Sequence, residues 1–256
     1  MLGAIAGDVI GSVYEHEPTK RTDFPLFSPG SRFTDDTVLT VATAHAILSG
    51  TPYERAYLEL GRRHPHAGYG RAFRGWLASP DPQPYGSWGN GSAMRVSSVG
   101  FVFDSVDTVL REAERSAVVT HGHPEGVKGA QAVALAVFLA RTGASKDRIR
   151  EELTSRFDYD LQRTVEQIRP TYTFEVSCQR SVPEAIVAFL DSHDLESAIR
   201  LAISLGGDAD TQASIAGAIG EAFYGVVPEV IGAGVRSRLP DEFLDVIDAF
   251  ERQYGH

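Results

Sequence analysis

The chain has 256 residues, 43% of them apolar, enough to bury one sizeable core without disulfide or metal staples. Its formal charge of −10 excludes a duplex-binding surface of clustered Lys and Arg. The single cysteine, Cys178, excludes an internal disulfide and any cysteine-based metal motif; it reads as a small buried hydrophobe in a reducing compartment.

Leu2 to Tyr14 carries Leu2, Ile5, Val9, Ile10 and Val13 at helical spacing. Gly3, Gly7 and Gly11 thin this helix, each at about 1 kcal/mol relative to alanine, so a neighbouring backbone or ligand needs the room. No basic leader precedes the segment and Asp8 interrupts its apolar run, so a signal peptide is not expected. Nor does any stretch approach the ~18 apolar residues that cross a bilayer. The expectation is a soluble cytoplasmic protein that binds no membrane.

Pro18, Pro25, Pro29 and Gly30 make residues 16–33 a loop, and the helical pattern resumes from Thr37 to Ser49. Tyr53 to Arg63 predicts a helix and Tyr69 to Ala78 a shorter one, ended by Pro80, Pro82, Pro84 and Gly86. The loop Gly89-Asn90-Gly91-Ser92 then feeds a helical stretch, Ala93 to Val99. Ser105 to Thr120 and Glu125 to Arg141 read as an antiparallel helix pair separated by His121-Gly122-His123-Pro124. Ser145 to Phe157 gives another helix, whereas Asp158 to Phe174 has no legible period. Val182 to Leu190, Asp194 to Leu205, Asp210 to Tyr224 and Pro240 to Tyr254 complete the series. Alternating β-branched patterns are scarce, so the fold class is all-α, one domain over residues 1–256. Gly3-Ala4-Ile5-Ala6-Gly7 and Ala216-Gly217-Ala218-Ile219-Gly220 look alike; close packing of two central helices through small residues explains both.

Two acid clusters stand at helix starts: Thr34-Asp35-Asp36-Thr37 and Gly206-Gly207-Asp208-Ala209-Asp210-Thr211. Helix capping accounts for such residues one at a time. Each start, however, carries two acids and a hydroxyl where one cap suffices. Hard oxygen ligands of this kind suit Mg²⁺ or Mn²⁺ rather than zinc, and two clusters point to one shared site. Four uncompensated carboxylates would repel one another and raise their pKa values, a cost that divalent cations remove. Gly206 and Gly207 read as clearance for close approach of this helix start to its partner. In Gly89-Asn90-Gly91-Ser92, free amides before a helix favour an anion, while an ordinary turn with a serine cap is the plain alternative. Arg95 has two readings, a phosphate partner or a surface partner at i,i+3. Phe33 and Trp88 are candidates to stack on a base or to join an aromatic core. His121 and His123 lack further ligands for a zinc site.

In order, Gly7-Asp8 through Gly11 to Glu15, Thr34 to Thr37, Gly89 to Arg95 and Gly206 to Thr211 form a pattern that resembles the ADP-ribosylglycohydrolase family, from Leu2 to about Gly225. The resemblance implies a compact all-α orthogonal helical bundle around a two-Mg²⁺ centre, with Mn²⁺ a possible substitute. It maps metal ligands onto Thr34, Asp35, Asp36, Asp208, Asp210 and Thr211, and places Glu15 on a loop beside them. Asp8 and Glu17 fall on no family ligand, and Asp8 reads as a structural residue hydrogen-bonded near the site. His121 becomes a contact for ADP-ribose at the pocket rim, and Gly89, Asn90, Gly91 and Ser92 a cradle for its diphosphate. Ala209 stands where a threonine is frequent, at a position that ligates nothing. The segment between Glu15 and Thr34, which helps cover the site in relatives, is short here.

The implied activity is Mg²⁺-dependent hydrolysis at ribose C1″ of ADP-ribosylated protein or a small ADP-ribose conjugate, releasing ADP-ribose, with Glu15, Asp36 and Asp208 as catalytic residues. Such cleavage passes through an oxocarbenium-like state. A two-metal nucleotide phosphohydrolase and a catalytically silent ADP-ribose-binding protein are the alternatives.

Overall fold

The apolar spacing near the N-terminus is realised as helix α1 (Leu2–Gly11), buried along its whole length. Its partner is α13 (Ala209–Tyr224), buried from Ala209 to Gly220. A computed structural model describes residues 1–255, which are all-α as expected: the only extended pairings are isolated bridges between Gly86 and His121 and between Gly89 and Ser177. The remaining helices are α2 (Asp35–Ser49), α3 (Tyr53–Arg63), α4 (Arg71–Ala78), α5 (Gly91–Met94), α6 (Ser97–Val102), α7 (Val106–Ala117) and α8 (Pro124–Arg141). They continue as α9 (Lys146–Phe157), α10 (Val165–Ile168), α11 (Cys178–Asp191), α12 (Leu195–Ile203), α14 (Glu229–Arg236) and α15 (Asp241–Tyr254).

Small residues let α1 and α13 approach almost backbone to backbone. A Cβ on Gly3 would stand 2.8 Å from Glu221 Cβ, and one on Gly7 would overlap the carbonyl of Ala213. One on Gly11 would stand 2.6 Å from Asp210 Cα. Ordinary carbon contacts lie at about 3.5–4.0 Å, so only glycine fits on this seam. Glu221 of α13 accepts from the amides of Leu2 (3.2 Å) and Gly3 (2.9 Å), capping α1 from across the interface. Around this pair pack α2, α8, α11 and α12, and α7 packs on α8 as expected.

Several boundaries differ from the periodicity. Helix α1 stops at Gly11, and Ser12 to Tyr14 form a turn in which Ser12 N donates to Asp8 O and Tyr14 N to Gly11 O. The stretch expected from Ala93 to Val99 is two short helices, α5 and α6, with a break at Arg95 and Val96. Helix α11 begins at Cys178 rather than Val182 and carries Pro183 inside it. Pro183 is the sixth residue of α11, past the first turn, so a hydrogen bond to Gln179 O is missing there, and the helix continues through a buried stretch from Ser181 to Leu190. Helices α10 and α14 lie where the sequence offers a capping box, Thr164 with Gln167, and a Pro228 start, but little apolar period.

Candidate active site

Close packing of α1 on α13 brings the end of α1 against the first turn of α13. The turn after Gly11 then carries Glu15 beside the acids that open α13. Carboxylate oxygens of Glu15, Asp208 and Asp210 all lie within 4.8 Å of one another. Glu15, expected beside the metal ligands rather than among them, therefore joins the group geometrically able to hold a cation.

The second acid cluster is brought in by Asp8, which the sequence marked as a structural residue near the site. Wholly buried on α1, its carboxylate accepts from Thr34 N (2.9 Å), Thr34 Oγ1 (2.7 Å), Thr37 N (3.0 Å) and Thr37 Oγ1. Asp8 thus caps the N-terminus of α2 from another helix. Thr34 Oγ1 in turn accepts from Asp36 N (3.3 Å), so capping and clustering are both realised. Across the site Thr211 Oγ1 donates to Asp36 Oδ1 (3.4 Å), while Asp36 Oδ2 is buried without a hydrogen-bond partner. Asn90 Nδ2 donates to Asp208 Oδ2 (2.7 Å), which ties the glycine-rich loop to the acids.

The electrostatics follow from this crowding. Burial, followed by the charges of Asp8, Asp35 and Asp208, pushes Asp36 well above the usual carboxylate range. For Asp210 the causes are burial, then Asp208 and Asp36. Asp35 is pushed up to about 8 by burial and Asp8, and Asp208 is raised by burial against the opposing hydrogen bonds from Asp210 and Asn90. Among the described residues no Lys or Arg forms an ion pair with Asp35, Asp36, Asp208 or Asp210. Such a group binds either protons or a cation.

Gly206 and Gly207 serve a different purpose from the one expected. Gly206 adopts φ +66°, and a Cβ there would stand 3.0 Å from Lys20 Nζ; one on Gly207 would meet Tyr172 and, at 2.6 Å, Gln212 Oε1. Lys20 crosses from the loop after Glu15 and donates to the carbonyls of Tyr172 (2.6 Å) and Leu205. The glycines therefore admit Lys20 and Tyr172, and the clearance toward α1 comes from Gly11.

The acids face a cavity of about 420 Å³, also lined by Gly89, Asn90, Gly91, Tyr85, His121, Phe174 and Val176. Thr34, Asp35, Asp36, Asp208, Asp210, Thr211 and Glu15 all line it. The loop is held by Asn90 N donating to Val176 O (2.8 Å), Cys178 N to Trp88 O (3.0 Å) and Cys178 Sγ to Gly89 O (3.1 Å). Cys178 is fully buried, and burial pushes its thiol up to about 12, in keeping with a packing role. Gly89 N is occupied by Ser87 Oγ (3.1 Å), so the uncommitted loop amides are those of Gly91 and Ser92, the first residues of α5. Ser92 does not line the cavity, and its hydroxyl donates inward to Gly126 O (2.7 Å).

Of the two readings of Arg95 the surface pair fails, because the residue is fully buried and forms no ion pair among the described residues, although it reaches the cavity lining. Phe33 packs against His64 and Phe243, at centroid distances of 5.8 and 5.3 Å, and Trp88 is 49% exposed outside the cavity lining. The aromatic walls are Phe73, Tyr85 and Phe174 instead. Phe174 closes the stretch without a legible period, where only an exposed aromatic next to charged residues could have signalled it.

Comparison with known proteins places this geometry. A family model described as ADP-ribosylglycohydrolase matches residues 1–255. The chain is 28% identical over 312 residues to "ADP-ribosylhydrolase ARH3" of Homo sapiens, covering 90% of this chain and 86% of that protein. It is 27% identical over 267 residues to "ADP-ribosylarginine hydrolase Tri1" of Pseudomonas putida (strain GB-1), covering 88% and 70%. A solved structure titled "ADP-ribosylglycohydrolase-related protein complex" superposes with a TM-score of 0.74 at 26% identity, over 98% of this chain and 96% of that one. The chain belongs to the ADP-ribosylglycohydrolase family.

Proposed function

We propose that this protein is a Mg²⁺-dependent ADP-ribosyl hydrolase that cleaves the bond at ribose C1″ of an ADP-ribosylated side chain or small ADP-ribose conjugate, releasing ADP-ribose. The observation that carries the reading is the buried cluster of Asp36, Asp208 and Asp210 facing a cavity, with Asp36 Oδ2 unpartnered and no Lys or Arg ion pair to the cluster among the described residues. An all-oxygen donor set of this kind fits hard divalent cations. Thr34, Asp35, Asp36, Asp208, Asp210 and Thr211 would hold two Mg²⁺, with Glu15 within reach of Asp208 and Asp210 as a further ligand. When bound, the ions would supply Lewis acidity beside the ribose and compensate the charge of the clustered carboxylates.

The chain's own groups do the rest. Glu15 has a side chain 28% exposed, so a proton it exchanges with the attacking water or the leaving group can pass to solvent. Asn90 orients Asp208 through its 2.7 Å hydrogen bond. The amide of Gly91 and the ring of His121, both in the cavity lining, would meet the diphosphate, and Tyr85 and Phe174 would supply apolar faces for the base.

The test is incubation of the purified protein with ADP-ribosyl-arginine, ADP-ribosyl-serine and O-acetyl-ADP-ribose, with Mg²⁺ or EDTA, and chromatography of the products. Intact ADP-ribose released only with Mg²⁺ is expected. AMP and ribose 5-phosphate would identify a phosphohydrolase, and tight ADP-ribose binding without turnover a binding protein.

A further inference from the structure

Arg95 heads the fully buried side chains by size, yet it has no counter-ion among the described residues. Its Nη2 donates to Ser116 O (3.0 Å) and Thr120 Oγ1 (2.9 Å), and its guanidinium lies 4.1 Å from the centroid of the Tyr57 ring. Nε and Nη1 have no acceptor. A buried cation so incompletely satisfied is costly, and a stabilising role alone does not account for it.

The hydrogen bonds run on from Arg95 into the cavity wall. Thr120 Oγ1 lies 2.8 Å from His121 Nδ1. Arg95 can only donate, so Thr120 Oγ1 accepts from it and keeps one proton of its own. Thr120 is fully buried, and His121 Nδ1 is the only other partner of its hydroxyl among the described residues. Were Nδ1 protonated, both neighbours would donate into Oγ1 and the hydroxyl proton would be buried without an acceptor. The hydroxyl therefore donates to Nδ1, and the ring proton sits on Nε2. The groups that bear on the ring are Arg95, which is positive, and Tyr85, whose ring centroid lies 6.4 Å away. Burial and Arg95 hold His121 well below its usual pKa, so the ring stays neutral. Nε2 has no protein partner and faces the loop: a Cβ on Gly91 would stand 3.0 Å from it, and one on Gly89 3.9 Å.

We propose that Arg95 and Thr120 are positioning residues that lock His121 as the neutral Nε2–H tautomer, presenting one fixed N–H donor to the cavity beside Gly89-Asn90-Gly91. The identity of the acceptor, an oxygen of the ADP-ribose diphosphate or its ribose, rests on the function proposed above; the lock itself does not. Arg95, itself in the cavity lining, adds an unneutralised positive charge beside the same loop, which favours an anion there.

Long-range ¹H–¹⁵N correlation spectra of the histidine rings in the full chain test the lock, with His121 identified by the signals lost in His121→Gln. Arg95 variants risk misfolding, so the perturbation is made at Thr120. The parent protein and Thr120→Ser should both show the Nε2–H pattern for His121 without protonation down to about pH 6. Thr120→Val, which removes the hydroxyl at near-constant volume, should lose that single pattern. It should also bind ADP-ribose about ten-fold more weakly and raise KM with kcat nearly unchanged. An Nδ1–H pattern in the parent, titration near the ordinary histidine value, or a Thr120→Val spectrum identical to the parent's would overturn the proposal. The lock with no ADP-ribose binding in any form would uphold the positioning role and overturn the ligand assignment alone.

Discussion

Gly11→Ala is the sharpest perturbation of the seam that assembles the site. On local grounds alanine should help, because glycine in a helix costs about 1 kcal/mol relative to it. The structure reverses the sign. The new Cβ would lie 2.6 Å from Asp210 Cα and 2.8 Å from both Ala209 O and Asp210 N. All three atoms are backbone, so no rotamer change relieves the overlap, and reaching the usual ~3.5 Å contact requires a retreat of about 1 Å. Overpacking of this kind costs about 1–3 kcal/mol. Taking about 3 for a backbone obstacle and subtracting about 1 for propensity leaves a loss of about 2 kcal/mol, or about 4–8 °C in Tm for a chain of this size. Because the retreating turn carries Asp208 and Asp210, activity should fall about 10²-fold as well. Gly75 in α4 is the control: it is exposed, and a Cβ there meets nothing within 4 Å. Gly75→Ala should gain about 0.4–1 kcal/mol and leave activity alone. Thermal denaturation and steady-state rates of the two variants decide the matter. A Gly11→Ala protein as stable and active as the parent would refute the argument that backbone contact between α1 and α13 sets the site.

Asp36→Asn should raise Tm in EDTA, by removing a crowded buried carboxylate, while abolishing the Mg²⁺-induced rise in Tm seen in the parent. Asp208→Asn should lower activity at least about 10²-fold and reduce metal content, measured by elemental analysis after dialysis. In EDTA, stability should increase as pH falls from about 8 to about 6.5, as followed by Tm. Asp35 is pushed up to about 8, so it takes up protons in the folded protein that an ordinary unfolded carboxylate does not, and that stabilisation is lost as pH rises through the folded value. Saturating Mg²⁺ should flatten this slope, and an EDTA curve that is flat or falls toward acid would count against the crowding. Below about 6.5 His121 acts in the opposite sense, because its neutral buried form binds fewer protons than the unfolded chain. Asp8→Ala should cost at least about 2 kcal/mol in urea denaturation and weaken Mg²⁺ binding, since Thr34 and Thr37 lose their shared acceptor.

The parts legible in the sequence are those whose chemistry is local. Acids in excess of what a cap needs marked both Thr34 to Asp36 and Asp208 to Thr211, and glycines at helical spacing marked the face of α1 that meets α13. Asp8 was legible as a structural residue, but its partners were not, because a side chain that caps a helix 26 residues away leaves no local period. The burial of Arg95 was not legible, because a charged side chain is rarely buried without an ion pair. Glycine has several uses, and at Gly206 only the positive φ and the approach of Lys20, 186 positions earlier, separate clearance for a side chain from clearance for a helix. Tyr85 and Phe174 were missed as cavity walls because loop aromatics carry no pattern that tells a lining residue from an exposed one.

The most direct test of the central claim is the fate of solvent oxygen. Hydrolysis in H₂¹⁸O of whichever ADP-ribosyl conjugate the protein turns over with Mg²⁺, followed by mass spectrometry, locates the bond that breaks. Cleavage at ribose C1″ leaves the acceptor and the phosphates free of ¹⁸O and labels C1″ of the released ADP-ribose faster than free ADP-ribose takes up label by ring opening in the same water. Label in a phosphate, in AMP or in a released acetate would contradict it.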